Sequence, residues 1–165
     1  MNQLYAEAGV KRKDNAVTMT LRALMIFGII IGFFLLLLGQ VFSMVGIVLI
    51  VALIYLFPRL NVEYEYVFVD GQLDFDAIKG KAKRKTLLRI DFEQVEIMAP
   101  LDSHALDSYT YVKLVVKNFS SGNKDSKPYV IIANVEDKKL KIIFEPNEKM
   151  VSMIKQKSPR KLTAY

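Results

Sequence analysis

Between Arg22 and Arg59 the chain carries no Asp, Glu, Lys, Arg or His, so Ala23–Pro58 is a run of 36 uncharged, mostly apolar residues. As one helix it would be about 54 Å long, against a bilayer hydrocarbon core of about 30 Å. Two spans joined by a tight turn fit that thickness better than one. The break falls at Gly39-Gln40, where glycine accepts positive φ and glutamine is the most polar side chain of the run. The expected spans are 21–38 and 41–57, each near the lower limit of about 17 residues needed to cross.

Basic residues set the expected orientation. Lys11, Arg12, Lys13 and Arg22 precede the first span, Arg59 follows the second, and the turn between the spans is uncharged. The positive-inside rule then puts both chain ends in the cytoplasm, as in a multi-pass cell-membrane protein. A cleaved signal peptide is disfavoured, because a second apolar span follows Leu38 where a small-residue cleavage site would stand. A re-entrant hairpin that dips in without crossing is the main competitor. Gly28 and Gly32 form G-x-x-x-G in the first span, a strip on which another helix backbone can approach closely. The expected partner is the second span, around Gly46 or Ala52, since a short turn supplies it at high effective concentration. A homodimer through the same strip is the less favoured alternative.

Composition excludes several chemistries. With no Cys there is no disulfide, thiol nucleophile or thiolate metal site, and a single histidine, His104, cannot build a His-rich zinc site. No cofactor or metal is therefore expected. A length of 165 residues leaves room for one compact domain beside the anchor. The expected organisation is a basic tail over 1–20, the hairpin over 21–58, a domain over 59–158 and a tail over 159–165.

At Asn61 the pattern turns to strand periodicity. Val62, Tyr64, Tyr66 and Phe68 alternate with Glu63, Glu65, Val67 and Val69, and Asp70-Gly71 is a strong type I′ hairpin signal. The return strand over 72–78 places Leu73, Phe75 and Ala77 on one face and Asp74 and Asp76 outward. Lys79-Gly80 turns the chain again into a strand over 83–90. Further strands are expected over 94–98, 109–118, 128–134 and 140–145, making seven. Asn147 then caps a helix to Lys157, with Met150, Met153 and Ile154 on its apolar stripe.

Seven strands closed by one helix resemble a pleckstrin-homology-like domain. The whole chain resembles a family of small bacterial membrane proteins in which a two-helix anchor precedes such a domain. The residues carrying the resemblance are Glu7 with Val10-Lys11-Arg12-Lys13, Tyr64-Glu65-Tyr66 leading to Asp70-Gly71, Arg89-Ile90-Asp91-Phe92-Glu93-Gln94-Val95, and Phe144-Glu145-Pro146. The resemblance implies a seven-stranded bent barrel whose open end the helix plugs, following a membrane α-helical hairpin. An open sandwich with the helix packed outside is the alternative. These motifs are structural and carry no chemistry, and the fold alone does not fix a ligand.

The distinctive charged feature is Lys79, Lys81, Lys83, Arg84, Lys85 and Arg89, with no acid between Asp76 and Asp91. Together with Lys11, Arg12 and Lys13, this strip is the candidate contact for anionic lipid at about 1 kcal/mol per basic residue near the surface. The competing reading is an edge strand kept soluble by its lysines. Nucleic acid is not expected, since 19 basic against 15 acidic residues from Arg59 onward is a modest excess. Asp70, Asp74 and Asp76 lack the order of a calcium loop. The function these features favour is a non-enzymatic, membrane-anchored binding or scaffold module at the cytoplasmic face of a bacterial inner membrane. An accessory subunit of a larger membrane complex is the alternative. A hydrolytic site near Asp102-Ser103-His104 is disfavoured, because adjacent loop residues seldom converge as a triad must.

Overall fold

A computed structural model describes residues 4–80 and 83–163. The chain divides into two compact units: residues 13–62 with 79–83, and the remainder, made of residues up to Arg12, Glu63–Ile78 and Arg84 onward.

The first unit is a helical hairpin. Asn15 caps α1 (Ala16–Leu35), its Oδ1 accepting from the Thr18 N–H at 2.8 Å. The chain reverses through Leu36–Gly39, with Gly39 at φ 109°, into α2 (Gln40–Leu56). A 3-10 turn, Phe57–Leu60, extends α2. Both helices are long and apolar enough to cross a membrane, with mean hydropathy of 2.1 and 2.6, and only 6% of each most apolar window is buried. Most of their large side chains are exposed, Phe34 and Val48 among them. What the helices bury is glycine: Gly32 in α1 and Gly46 in α2. At the hairpin's base the Arg22 guanidinium pairs with Asp14 and donates to Asn61 Oδ1 at 2.7 Å, tying the residues before α1 to those after α2.

The second unit is built on two four-stranded sheets. In the first, β1 (Tyr5–Lys11), β2 (Val62–Val69), β3 (Gln72–Lys79) and β4 (Lys83–Asp91) lie in that order. In the second, β5 (Val95–Pro100), β6 (Val115–Asn118), β7 (Tyr129–Val135) and β8 (Lys138–Phe144) take the order β5-β7-β8-β6, with β6 parallel to β8. Alternation sends Tyr64, Tyr66 and Phe68 of β2, and Leu73, Phe75 and Ala77 of β3, into the core. There Phe75 stacks on Phe119 at 4.9 Å and meets Phe144 of the other sheet edge to face at 5.5 Å. Tyr66 donates from its buried hydroxyl to the Phe119 carbonyl at 2.5 Å, and burial pushes that hydroxyl's pKa well up. Helix α3 (Glu148–Lys157) starts at Asn147, whose Oδ1 accepts from Met150 N–H and whose Nδ2 donates to the Glu7 carbonyl on β1. Met150 and Ile154 are fully buried, and Met153 half-buried.

Several expectations are corrected here. Among the described residues the strands number eight and the two sheets remain open, so their hydrogen bonding does not close a seven-stranded barrel. The added strand is β1, in a segment expected as tail. Its seven residues pair with β2 from Tyr5 opposite Val69 to Lys11 opposite Glu63. The strand expected over 109–118 shrinks to Val115–Asn118, preceded by a 3-10 turn at His104–Tyr109. Residues expected as a C-terminal tail return to β5, where Thr163 N–H donates to the Met98 carbonyl at 2.9 Å. Asp76 is buried, not outward and solvated, because Arg84 receives it.

Candidate functional site

The strip Lys79–Arg89 occupies the turn after β3 and the edge strand β4, whose residues from Lys83 to Leu87 are all exposed. Its members fall into two chemical sets. Arg84 donates from Nε to Asp76 Oδ2 at 2.6 Å, and its Nη2 lies 2.9 Å from Glu65 Oε2. Arg89 grips Asp74 with two parallel bonds of 2.7 Å. The accepting carboxylates push both guanidinium pKa values further up. These two charges are locally neutralised. Lys79, Lys83 and Lys85 are exposed and make no ion pair with a described residue. Lys81 lies outside the described residues. Of the N-terminal bases, Lys11, Arg12 and Lys13 are exposed, and Arg12 Nη1 reaches the Tyr64 hydroxyl at 3.5 Å.

Beneath Arg84 sits a compressed carboxylate group. Glu65 has its pKa raised by burial first and by its hydrogen bond with Glu7 second, with Arg84 pulling more weakly the other way. Glu7 is held lower, chiefly by the Tyr5 hydroxyl that donates to it at 2.5 Å. One proton is thus favoured on the Glu65 side of the pair.

The β3–β4 turn is seated on the end of α2. Gly80 N–H donates to the Asn61 carbonyl at 3.1 Å, and a Cβ on Gly80 would meet the Pro58 carbonyl oxygen at 3.3 Å. Its φ of 61° adds a second reason for glycine. Next to this contact opens a cleft of about 740 Å³ lined by Ile54, Tyr55, Pro58, Arg59, Lys79, Gly80 and Lys83. Arg59 stacks over the Tyr55 ring at 4.4 Å and donates to its hydroxyl at 2.7 Å. Sequence reading used Arg59 only for orientation. Its spacing of four from Tyr55, one helical turn, was the signal that the two side chains meet.

Gly28 and Gly32 lie within the hairpin. A Cβ on Gly28 would come within 2.8 Å of Leu53, and one on Gly32 within 2.6 Å of Ile50. A Cβ on Gly46 would come equally close to the Gly32 carbonyl oxygen. His104 stands fully exposed with Nδ1 3.2 Å from Asp107, itself 74% exposed. The Ser103 hydroxyl is turned to accept from Ala105 N–H. A cleft of about 520 Å³ beside them is lined by Leu101, Tyr109, Val116, Ile132 and Lys141 among others. Among the described residues no group of three or more His, Asp or Glu is disposed to hold a metal.

A family model described as Bacterial PH-like domain (DUF6106) matches residues 2–164 of the chain. No curated protein and no solved structure matches it.

Proposed function

From the premise that the chain belongs to this bacterial PH-like domain family, we propose that it is a membrane-anchored binding module at the cytoplasmic face of a bacterial inner membrane. The observation that carries the topology is the β1–β2 ladder. These strands flank the helical hairpin in sequence, yet pair over seven residues with Lys11 opposite Glu63. Ends that zip together in one sheet leave the hairpin on the same side, as two crossings require. The Arg22 bridge between Asp14 and Asn61 supports the same arrangement. The outward apolar surface of α1 and α2 is the kind that lipid covers.

The role is binding without catalysis. The exposed lysines Lys79, Lys83 and Lys85 contribute attraction to the anionic leaflet at about 1 kcal/mol each, and Lys11, Arg12 and Lys13, just before the first span in sequence, add to it. The arginines contribute less, since Asp76 and Asp74 already hold them. Reporter fusions at residue 1, residue 40 and residue 165 test the arrangement. Cytoplasmic signals are expected from both termini and an extracytoplasmic one from the turn. An extracytoplasmic C-terminal signal would overturn it.

A further inference from the structure

We infer that the cleft between the end of α2 and the β3–β4 turn is a discrete binding site for the phosphate of an anionic phospholipid. The inference rests on the membrane-anchored reading and names the ligand of one part of the basic strip.

The lining is chemically one-sided. Arg59, Lys79 and Lys83 supply three cations, and among the described residues no carboxylate lines the cleft with them. Lys79 and Lys83 form no ion pair with a described residue, which separates them from Arg84 and Arg89 on the same hairpin. Their charge is therefore available to an anion from outside the chain.

The turn backbone and the arginine are positioned before any ligand arrives. Gly80, between the two lysines in sequence, is held by its bond to the Asn61 carbonyl and by its close approach to Pro58. Arg59 is oriented by stacking on Tyr55 and by the bond to its hydroxyl, which uses one of the five guanidinium N–H groups. The others make no side-chain hydrogen bond among the described residues and suit the fork geometry that phosphate oxygens accept. Arg59, held this way, loses less side-chain freedom on binding than a mobile surface lysine does.

The remaining wall selects a lipid over a free anion. Ile54, Tyr55 and Pro58 are apolar surface at the end of a helix whose outward face is apolar along its length. A phosphate on the cations thus has its glycerol and upper acyl carbons beside those side chains. An aromatic ring and a base at the end of a span is the usual chemistry of the headgroup level. A volume of about 740 Å³ accommodates such a headgroup.

The test uses the full chain in neutral detergent micelles, doped with phosphatidylglycerol or phosphatidylcholine, with retained lipid counted by native mass spectrometry. The wild-type chain should retain phosphatidylglycerol over phosphatidylcholine by about tenfold or more. R59Q and the double variant K79Q/K83Q should each lose most of that preference, while K124Q/K127Q, with the same charge removed elsewhere, should keep it. R59K should fall between wild type and R59Q, because it restores charge without the fork. Because Lys79 and Lys83 are exposed, their loss leaves folding intact and reports binding alone. Equal retention of the two lipids would overturn the site. So would an equal loss in K124Q/K127Q, the mark of diffuse charge, or displacement of phosphatidylglycerol by inorganic phosphate. Cytoplasmic termini in the fusion experiment beside any of those outcomes would leave the anchored module standing and remove only this site.

Discussion

The helical hairpin and the β unit are both rich in apolar residues, and they hide opposite kinds. The β unit buries its largest side chains, among them Tyr66, Phe68, Phe75 and Phe144, at under 2% exposure. The hairpin buries Gly32 and Gly46 and presents Phe27, Phe34, Leu38 and Val48 outward. In water the hydrophobic effect drives bulk inward. In lipid that drive is absent between helices, so close backbone packing decides which residues meet. On the proposed membrane-anchored reading the two regions face different solvents, and substitutions of opposite size should therefore harm them.

Removing bulk should damage the β unit most. Phe75 touches Tyr66, Phe119 and Phe144, so Phe75→Ala should destabilise that unit by about 3–5 kcal/mol. Denaturant unfolding of the full chain in a fixed detergent measures it, and a loss below 1 kcal/mol would mean the cluster is not the core. Ile154→Ala should follow at about 2–5 kcal/mol, because Ile154 is a fully buried residue on the inner face of α3. A near-neutral result there would show the α3 stripe exposed in solution.

Adding bulk should damage the hairpin instead. Gly46→Leu pushes a side chain against the Gly32 backbone and should cost about 1–3 kcal/mol of helix packing. Loss of energy transfer between labels on α1 and α2 is the readout. The exposed Phe34→Ala should leave that signal unchanged, and the two swapped outcomes would erase the contrast.

The smallest effect concerns charge. Because the Glu65 pKa is raised in the folded chain, its protonated form stabilises folding below its ordinary value of 4.5. That contribution is lost as pH rises through the folded value. Glu65→Gln should therefore melt higher than the parent at neutral pH, with the gap closing below pH 4.5. A gap that is constant with pH would assign the effect to packing rather than to the proton.

Strong alternation made β2, β3 and β8 readable, and Asn147 with the Met150–Ile154 spacing did the same for α3. Strand β1 was hidden because its only fully buried residue is small, Ala6, and its partner lies beyond the whole hairpin. The β-branched stretch around Val112–Val116 promised a longer strand. Only Val115–Asn118 find β8, in a parallel ladder whose partner is distant in sequence. At the site, the lysines were legible as a patch. The pairing of Arg84 with Asp76 depends on β3 and β4 lying side by side in the sheet, which neither residue's own surroundings announce. Arg59 joined the cleft through the seating of a turn on a helix end, which no local pattern encodes.

The proposed topology is a hairpin that crosses twice with the β unit on the cytoplasmic side. The chain has no native cysteine, so single thiols report their side of the membrane without background. Leu38→Cys at the turn and Ser152→Cys on exposed α3 surface are the two positions to label in spheroplasts with a membrane-impermeant maleimide. The account predicts that Leu38→Cys labels at once and Ser152→Cys only after lysis. Labelling of Ser152→Cys from outside, or protection of Leu38→Cys until lysis, would contradict it.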